Sequence, residues 1–529
     1  MFPTVLCLLL LLGASEALKV LVNNPKLTHS HVEFQAAIAD ILAEAGHTVH
    51  LFVPIYDPTC NTKGASNASK IFEVEAGRLP FLDIPILNDP FNRKKNRESF
   101  SMLGDTTLKI QESASQMCDA ILANDALLDQ LRKEKYDVVI TEFYEFCMLP
   151  LFHAAGIRVK IISSAVPMTE YVAQFYGIPV PRSYATSTLL SFANAPKLTY
   201  MQKAESLIWT AVDGYLMNGM VERMNAKMQK KFGPSFPDTK EIVQNTSLAL
   251  INVVDVLDLA KPTSHKVVNV GGISRKNAKH TMEPEMERIF KKAQKGVVLF
   301  SFGSIADPIK MDPSARLAFL NAFARFPEFE FIWKFDPKDA NDSKKVENVH
   351  FVKWMDQNTL LGQPKLRAFI THCGLNSVIE SAFAGKPMVA VPLFADQNYN
   401  AAMVIQHRVA VFLEVEDVDE ARVVAALSRI LLEDDLYQNA QRLQRKLLRH
   451  PLDPRESVRK WIEYAAQFDD LHEDLNLEAV NLSFFSYFCL DVIASVAVVI
   501  AMIAFATLRV ALLVWNAMLE RLSTKKKTD

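Results

Sequence analysis

The sequence predicts an α/β protein of more than one domain, closed by a C-terminal membrane helix. Three observations carry this. The chain has 529 residues and half of them are apolar, enough to bury more than one core. Short apolar runs ending in small or polar turns recur at Lys19–Val22, Tyr136–Glu142, Val297–Ser301 and Ala368–Thr371, and the first and last open onto helical patterns, the rhythm of an α/β fold. Near the end, Val492–Leu508 is a run without a charge, bounded by Asp491 and Arg509, at the short end for a bilayer helix. The formal net charge of -2 gives no overall attraction to nucleic acid.

The chain begins with Val5–Leu12, too short to span a bilayer, followed by small residues with Ser15 and Ala17 placed as a cleavage site. This is a secretory signal over residues 1–17; mature-looking strand sequence starts directly afterwards at Lys19. The body is therefore expected in the endoplasmic reticulum lumen, where the sequons at Asn67, Asn245, Asn341 and Asn481 are acceptors for glycosylation. Of the cysteines, Cys7 leaves with the signal and Cys489 lies beside the membrane. Cys60, Cys118, Cys147 and Cys373 make no disulfide framework and no C-x-x-C pair, so no metal centre is expected, while a single bridge stays open.

After the first strand, Phe34, Ile38, Ile41, Leu42 and Ala45 give one helical apolar face that stops at Gly46. Ser30 and Glu33 are spaced as a capping box, which puts His31 in the first turn, where the positive helix end should keep its imidazole neutral. A histidine there is more often a cap or surface residue than a catalyst, and His29 competes with it. At Tyr136–Cys147 a strand runs into a loop carrying Glu142 and Glu145, while Asp137 fits a strand start. Residues 55–240 suggest loops and helices, including an amphipathic stretch from Leu198 to Phe232. Their apolar, aromatic and Met-rich segments suit a lipophilic pocket or ordinary core. A domain boundary is expected between Lys261 and Asn269.

The most informative stretch is Trp354–Gln397. A strand ends at His372, Gly374 follows, and Asn376-Ser377 open a helix that stops at Gly385. Such a helix start offers unpaired N–H groups and partial positive charge, and a small turn residue admits a diphosphate: an anion seat. Around it stand Trp354, Gln357, His372-Cys-Gly374-x-Asn376-Ser-x-x-Glu380, Pro387, Pro392 and Asp396-Gln397.

This spacing resembles the donor-binding signature of the UDP-glycosyltransferases, best in their animal membrane-bound branch, which includes UDP-glucuronosyltransferases. The resemblance implies two Rossmann-like domains facing each other across a cleft, the GT-B arrangement. It divides the chain into an acceptor domain at 18–265, a UDP-sugar domain at 266–455, a return helix and membrane approach at 456–490, a single transmembrane helix at 491–509 and a cytosolic tail at 510–529. It implies that His31 is the general base and that Glu142, where many relatives carry Asp, orients it. It also implies that Ser304 faces the diphosphate, that Trp354 stacks on uracil with Gln357 beside it, and that His372, Gly374, Asn376 and Ser377 surround the phosphates. Glu380 would then hold the ribose, and Asp396 and Gln397 the hexose hydroxyls.

The expected reaction is transfer of a hexose from UDP-glucose or UDP-glucuronate to a hydroxyl of a small lipophilic acceptor, with inversion and without a metal. Glucuronate-using relatives resemble one another in an arginine where Asn252 stands, and losing a charge-assisted pair worth ~1.5–3 kcal/mol favours glucose. The expected setting is the endoplasmic reticulum membrane, single-pass with a cytosolic tail, and Lys526-Lys-Thr-Asp529 has the form of a dilysine retrieval signal. Homo- or hetero-oligomerisation stays open. A catalytically silent UDP-sugar-binding homologue is the alternative. An NAD oxidoreductase is disfavoured, because Asn23-Asn-Pro-Lys26 stands where a G-x-G-x-x-G would follow the first strand.

Overall fold

The computed structural model describes residues 17–62, 64–91, 100–189, 191–275, 281–336 and 346–525. Residues 1–16 of the expected signal, the Asn341 sequon and the 526–529 tail signal lie outside them. The chain forms two compact units, Met1–Asn476 and Leu477–Asp529.

The first unit contains two parallel sheets. In the first, β1 (Lys19–Asn23), β2 (Thr48–Ile55), β3 (Lys70–Glu75), β4 (Val138–Glu142), β5 (Val159–Ser164), β6 (Leu248–Ile251) and β7 (Val267–Asn269) lie in the order β3-β2-β1-β4-β5-β6-β7. In the second, β8 (Gly296–Ser301), β9 (Phe329–Lys334), β10 (Val349–Val352), β11 (Leu366–Thr371), β12 (Met388–Ala390) and β13 (Ala410–Phe412) run β10-β9-β8-β11-β12-β13. Neighbouring strands are parallel throughout, for example β1 with both β2 and β4 and β8 with both β9 and β11. Parallel strands are covered on both faces, which is why Val20-Leu-Val22 and Val297-Val-Leu-Phe300 are unbroken apolar runs with no exposed surface. Each sheet reverses its winding once, between β1 and β4 and between β8 and β11. Such a switch point opens a crevice at the carboxyl ends of the strands.

Helix α1 (His29–Glu44) follows β1 and buries Phe34, Ile38, Ile41 and Leu42. The expected capping box is absent. Thr28 is the N-cap and its side chain makes no capping hydrogen bond, and the Glu33 carboxylate lies 3.2 Å from His29 Nε2 one turn back. That pairing along the helix surface competes with the reach to the N-cap. Further on come α2 (Phe100–Leu122), α3 (Met148–Ala154) after β4, and α4 (Tyr200–Phe232), whose start is held by a capping box between Thr199 and Gln202. A disulfide joins Cys118 of α2 to Cys147 at the start of α3, which by chain entropy is worth roughly 3–4 kcal/mol.

In the second half, α5 (Leu375–Ala384) follows β11 and α6 (Gln397–Gln406) follows β12. The core beneath them is aromatic: Phe300 stacks on Trp333 with centroids 4.5 Å apart and Phe323 on Phe331 at 4.1 Å, each buried ring contributing about 1.5–3 kcal/mol. Helix α7 (Pro454–Ala465) then returns to the first sheet, placing Val458, Ile462 and Ala465 in its core. By sheet membership the break between the halves falls after β7, whose Val268 pairs with Leu250, rather than at residue 265.

The second unit carries α8 (Leu490–Lys525), in which Leu490–Leu522 is long and apolar enough to cross a membrane. It outruns the expected 491–509. Arg509 does not end the helix, because Val510–Trp515 continues the apolar run and the Arg509 guanidinium lies 5.5 Å from the Phe505 ring.

Candidate active site

All twelve residues singled out in the sequence line one cavity of about 730 Å³ between the two sheets. They reach it from the switch points: β1 and β4 lead to His31 and Glu142, while β8 and β11 lead to Ser304 and His372.

His31 Nδ1 is 2.7 Å from Glu142 Oε1, with the histidine side chain 13% exposed and the glutamate fully buried. The same carboxylate oxygen accepts the Ala165 N–H at 3.1 Å, which fixes its position. A carboxylate at Nδ1 selects the tautomer with hydrogen on that nitrogen and leaves the Nε2 lone pair open. Tyr144, which the sequence did not mark, sits with its hydroxyl 3.0 Å from both ring nitrogens. Equidistance places it over the ring face instead of along either in-plane lone pair.

His31 does not keep the neutral bias expected from the helix start. Burial lowers its pKa, but the charge and hydrogen bond of Glu142, with Asp396 adding, outweigh burial and hold it above 6.5. A full carboxylate charge in contact exceeds a partial charge spread over a helix end. Burial raises the Asp396 carboxyl, against its hydrogen bond from Asn400 and the nearby His31.

The second switch point has the opposite electrostatics. His372 is pushed down to about 4 by burial and then by the Lys334 ammonium, against a backbone hydrogen bond at Ser301, so it is neutral near pH 7. Two glycines flank the ring. A Cβ at Gly303 (φ +78°) would lie 2.6 Å from His372 Cε1, and one at Gly374 would lie 2.6 Å from Nε2. Gly374 therefore makes room first for the histidine. Next to it Cys373 is held at φ 64° and Ala395 at φ 52°, left-handed backbone that non-glycine residues adopt at a cost. Gly374 is the N-cap of α5 and contributes no side-chain cap, so the first-turn N–H groups of this helix point at the cavity unclaimed by a cap.

Around this helix start, Gln357 Nε2 donates to Glu380 Oε2 at 2.6 Å and to Ser377 Oγ at 3.1 Å. Asn358, also missed in the sequence, donates to Glu380 Oε1 at 3.1 Å. Both carboxylate oxygens are thus presented rigidly. Trp354 is 64% exposed, with Lys334 Nζ 4.5 Å from its ring centroid and 2.9 Å from the Gly303 carbonyl. Lys334 ends β9 and is the only lysine or arginine among the lining residues described; a cation at a strand's carboxyl end is the signal that would have marked it. Ser304 is exposed in the turn after β8. Asp396 accepts from Asn400 at 2.7 Å, and Gln397 Oε1 accepts the Leu393 and Phe394 N–H groups at 2.8 and 3.1 Å, tightening the loop that carries both. Asn252 does not line the cavity; it is buried behind it, donating to Asn376 Oδ1 and to the Ala165 carbonyl at 3.0 Å each.

The first half lines most of the rest of the cavity. Leu27, Phe81, Ile84, Ile110, Met148, Met217 and Met220 make it apolar, with Tyr56, Glu145 and Asp213 as polar points. Glu145 accepts the Cys147 and Met148 N–H groups at the start of α3; burial nevertheless raises it to about 7. Burial, with Glu170 nearby, raises Asp213 to about 7 as well.

Two doubly wound domains with an uncapped helix start on one side of a cleft and a histidine–carboxylate pair on the other have the GT-B arrangement. Among solved structures, UDP-glucose:anthocyanidin 3-O-glucosyltransferase in complex with UDP shares this fold, at a TM-score of 0.55 and 16% identity over 86% of this chain and 100% of that one. The family model for UDP-glucoronosyl and UDP-glucosyl transferase matches residues 19–527, and the chain belongs to that family. Similar proteins include ugt-47 of Caenorhabditis briggsae, named among the UDP-glucuronosyltransferases, 29% identical over 92% of this chain and 91% of its own. Another is 2-hydroxyacylsphingosine 1-beta-galactosyltransferase of Rattus norvegicus, 28% identical over 91% and 85%. The chain is a UDP-sugar transferase by family, and its apolar C-terminal helix fits a membrane anchor.

Proposed function

We propose that the protein transfers a hexose from a UDP-sugar to a hydroxyl of a small lipophilic acceptor in a single displacement. The acceptor hydroxyl gives its proton to His31 Nε2 as its oxygen attacks the anomeric carbon. The bond from that carbon to the diphosphate oxygen breaks, and UDP departs with the electron pair. Glu142 steadies the imidazolium, a contribution of about 10²–10⁴ in rate for a positioned base. The N–H groups at the start of α5, with Ser304 and Lys334, stabilise the departing diphosphate. Trp354 and Gln357 hold uracil, Glu380 the ribose, and Asp396 and Gln397 the hexose. One displacement turns an α-linked donor into a β-glycoside.

The observation that carries this reading is the 2.7 Å His31–Glu142 pair opening onto the same cavity as the uncapped start of α5. A silent sugar-nucleotide binder has no use for that pair. UDP-glucose is favoured over UDP-glucuronate, because Lys334, the one lining lysine or arginine described, is held between Trp354 and the Gly303 carbonyl, on the uracil and diphosphate side, and leaves a sugar carboxylate without a cation. We place the catalytic domains in the endoplasmic reticulum lumen, anchored by a single type I span. The test is purified full-length protein offered UDP-glucose, UDP-galactose and UDP-glucuronate with phenols and lipophilic alcohols, products read by mass. Glycoside from a neutral hexose is expected; UDP-sugar binding without product from any pairing would favour the silent homologue.

A further inference from the structure

The part of the cavity contributed by the first half is acidic. Glu33, Glu142, Glu145, Glu205 and Asp213 line it, and among the described lining residues of that half no lysine or arginine stands opposite them. Glu142 is taken up by His31, and Glu145 by the Cys147 and Met148 N–H groups at the start of α3. Other polar groups of this wall are taken up as well. The Tyr171 hydroxyl donates to the Phe143 carbonyl at 2.7 Å, Gln111 Nε2 to the Leu216 carbonyl at 3.1 Å, and Ser191 Oγ lies 2.8 Å from Thr186 Oγ1.

Asp213 is different. It sits on the inner face of α4, one and two turns before Met217 and Met220, which line the cavity with it. It is 7% exposed, yet among the described residues nothing donates to its carboxylate or pairs with it. Its oxygens are not closed off from accessible space, and the space beside them is the cavity. The charges that act on it are Glu170 and, more weakly, Arg182, which lie 3.7 Å apart as a buried pair and do not line the cavity. Tyr171 also feels its charge, but burial raises that phenol and keeps it neutral. A carboxyl left without a partner in an apolar wall costs free energy in the empty protein. A cation brought beside it would offset that cost and favour its charged form.

We propose that Asp213 anchors a cationic group on the acceptor, so that the preferred acceptors are lipophilic hydroxyl compounds carrying a protonated amine, and anionic ones are disfavoured. This rests on the acceptor reading of the cavity. Met217, Met220 and Ile110 flank the hydrocarbon body, the ammonium meets Asp213 as a charge-assisted hydrogen bond away from water, and the hydroxyl is offered to His31.

The test uses the full chain saturated with UDP and reads binding by titration calorimetry. It compares para-(aminobutyl)phenol with para-pentylphenol, its uncharged counterpart, and with para-hydroxyphenylbutyrate, its anionic one. The ammonium phenol should bind about tenfold tighter than pentylphenol or more, and the anion most weakly. Asp213→Asn should erase the ammonium preference, with retained UDP binding reporting a folded chain. In the unsubstituted protein the preference should grow as pH rises from about 6 to 8, because Asp213 gains its charge through about 7 while an amine titrating at roughly 10 keeps its own. His31 meets both phenols through the same hydroxyl and drops out of the ratio. Equal binding of the two phenols would overturn the proposal, as would a preference that survives Asp213→Asn and so belongs to Glu145 or Glu205. If the variant does not fold, the pH series decides alone, and a flat preference overturns it. Binding is read without turnover, so the two readings fail separately. An ammonium preference without any glycoside removes the transfer and keeps the anchor; transfer to neutral phenols without that preference removes the anchor alone.

Discussion

The two switch points of this protein share one winding and place a histidine in the same crevice, yet tune it in opposite directions. At the first, the Glu142 carboxylate overcomes burial and holds His31 above 6.5. At the second, burial and the Lys334 ammonium hold His372 near 4. Topology decides where a ligand goes; the charge beside each ring decides what that ring does. Under the proposed transfer, one histidine is kept protonatable to exchange a proton and the other neutral beside the seat proposed for phosphate.

The largest break in this contrast is His31→Ala. Transfer should fall by about 10²–10⁴ with UDP-sugar affinity unchanged in titration calorimetry; an equal loss of binding would make His31 a donor residue. Next is Gly374→Val, which drives a side chain into the His372 ring and the helix start. Donor affinity should drop about 10–100-fold, the worth of a lost charge-assisted contact, while the pH midpoint of the residual activity stays put. Smaller, and sharper, is Glu142→Gln. Wild-type kcat/KM should rise with pH through a midpoint above 6.5, because the base works unprotonated and its pKa is raised. Removing the carboxylate should move that midpoint down by about 1 unit or more. A rate profile that falls with pH, or a midpoint unmoved by the substitution, would contradict the assignment. The smallest effect belongs to the second ring. UDP-glucose affinity should stay nearly flat between pH 5.5 and 8, since a group near 4 does not titrate there, and Lys334→Gln should introduce a rise in affinity on the acid side as His372 becomes easier to protonate and adds a positive charge beside the phosphate seat.

Legibility in the sequence follows how local the physics is. The strand, glycine turn and helix start at Leu366–Ala384 were readable because they lie within one short stretch, and fixed residue types mark each. The strands β3 and β5 were not. Lys70-Ile-Phe-Glu-Val-Glu75 carries three charges, at 70, 73 and 75, at the sheet edge. Lys160 interrupts the apolar run of β5 and is tolerated only because its ammonium donates to the Ile157 and Arg158 carbonyls at 3.2 and 2.8 Å. Tyr144 belongs to an aperiodic loop, and nothing local says that it will cover a ring more than a hundred residues away. The capping box failed for a related reason: Glu33 had two partners within reach, and spacing alone does not rank them.

The most direct test is a structure of the complex with UDP. The account predicts the diphosphate oxygens within hydrogen-bonding distance of the Asn376 and Ser377 backbone N–H groups, with uracil against Trp354. UDP bound elsewhere, or a first turn of α5 covered by neighbouring protein in the complex, would contradict it.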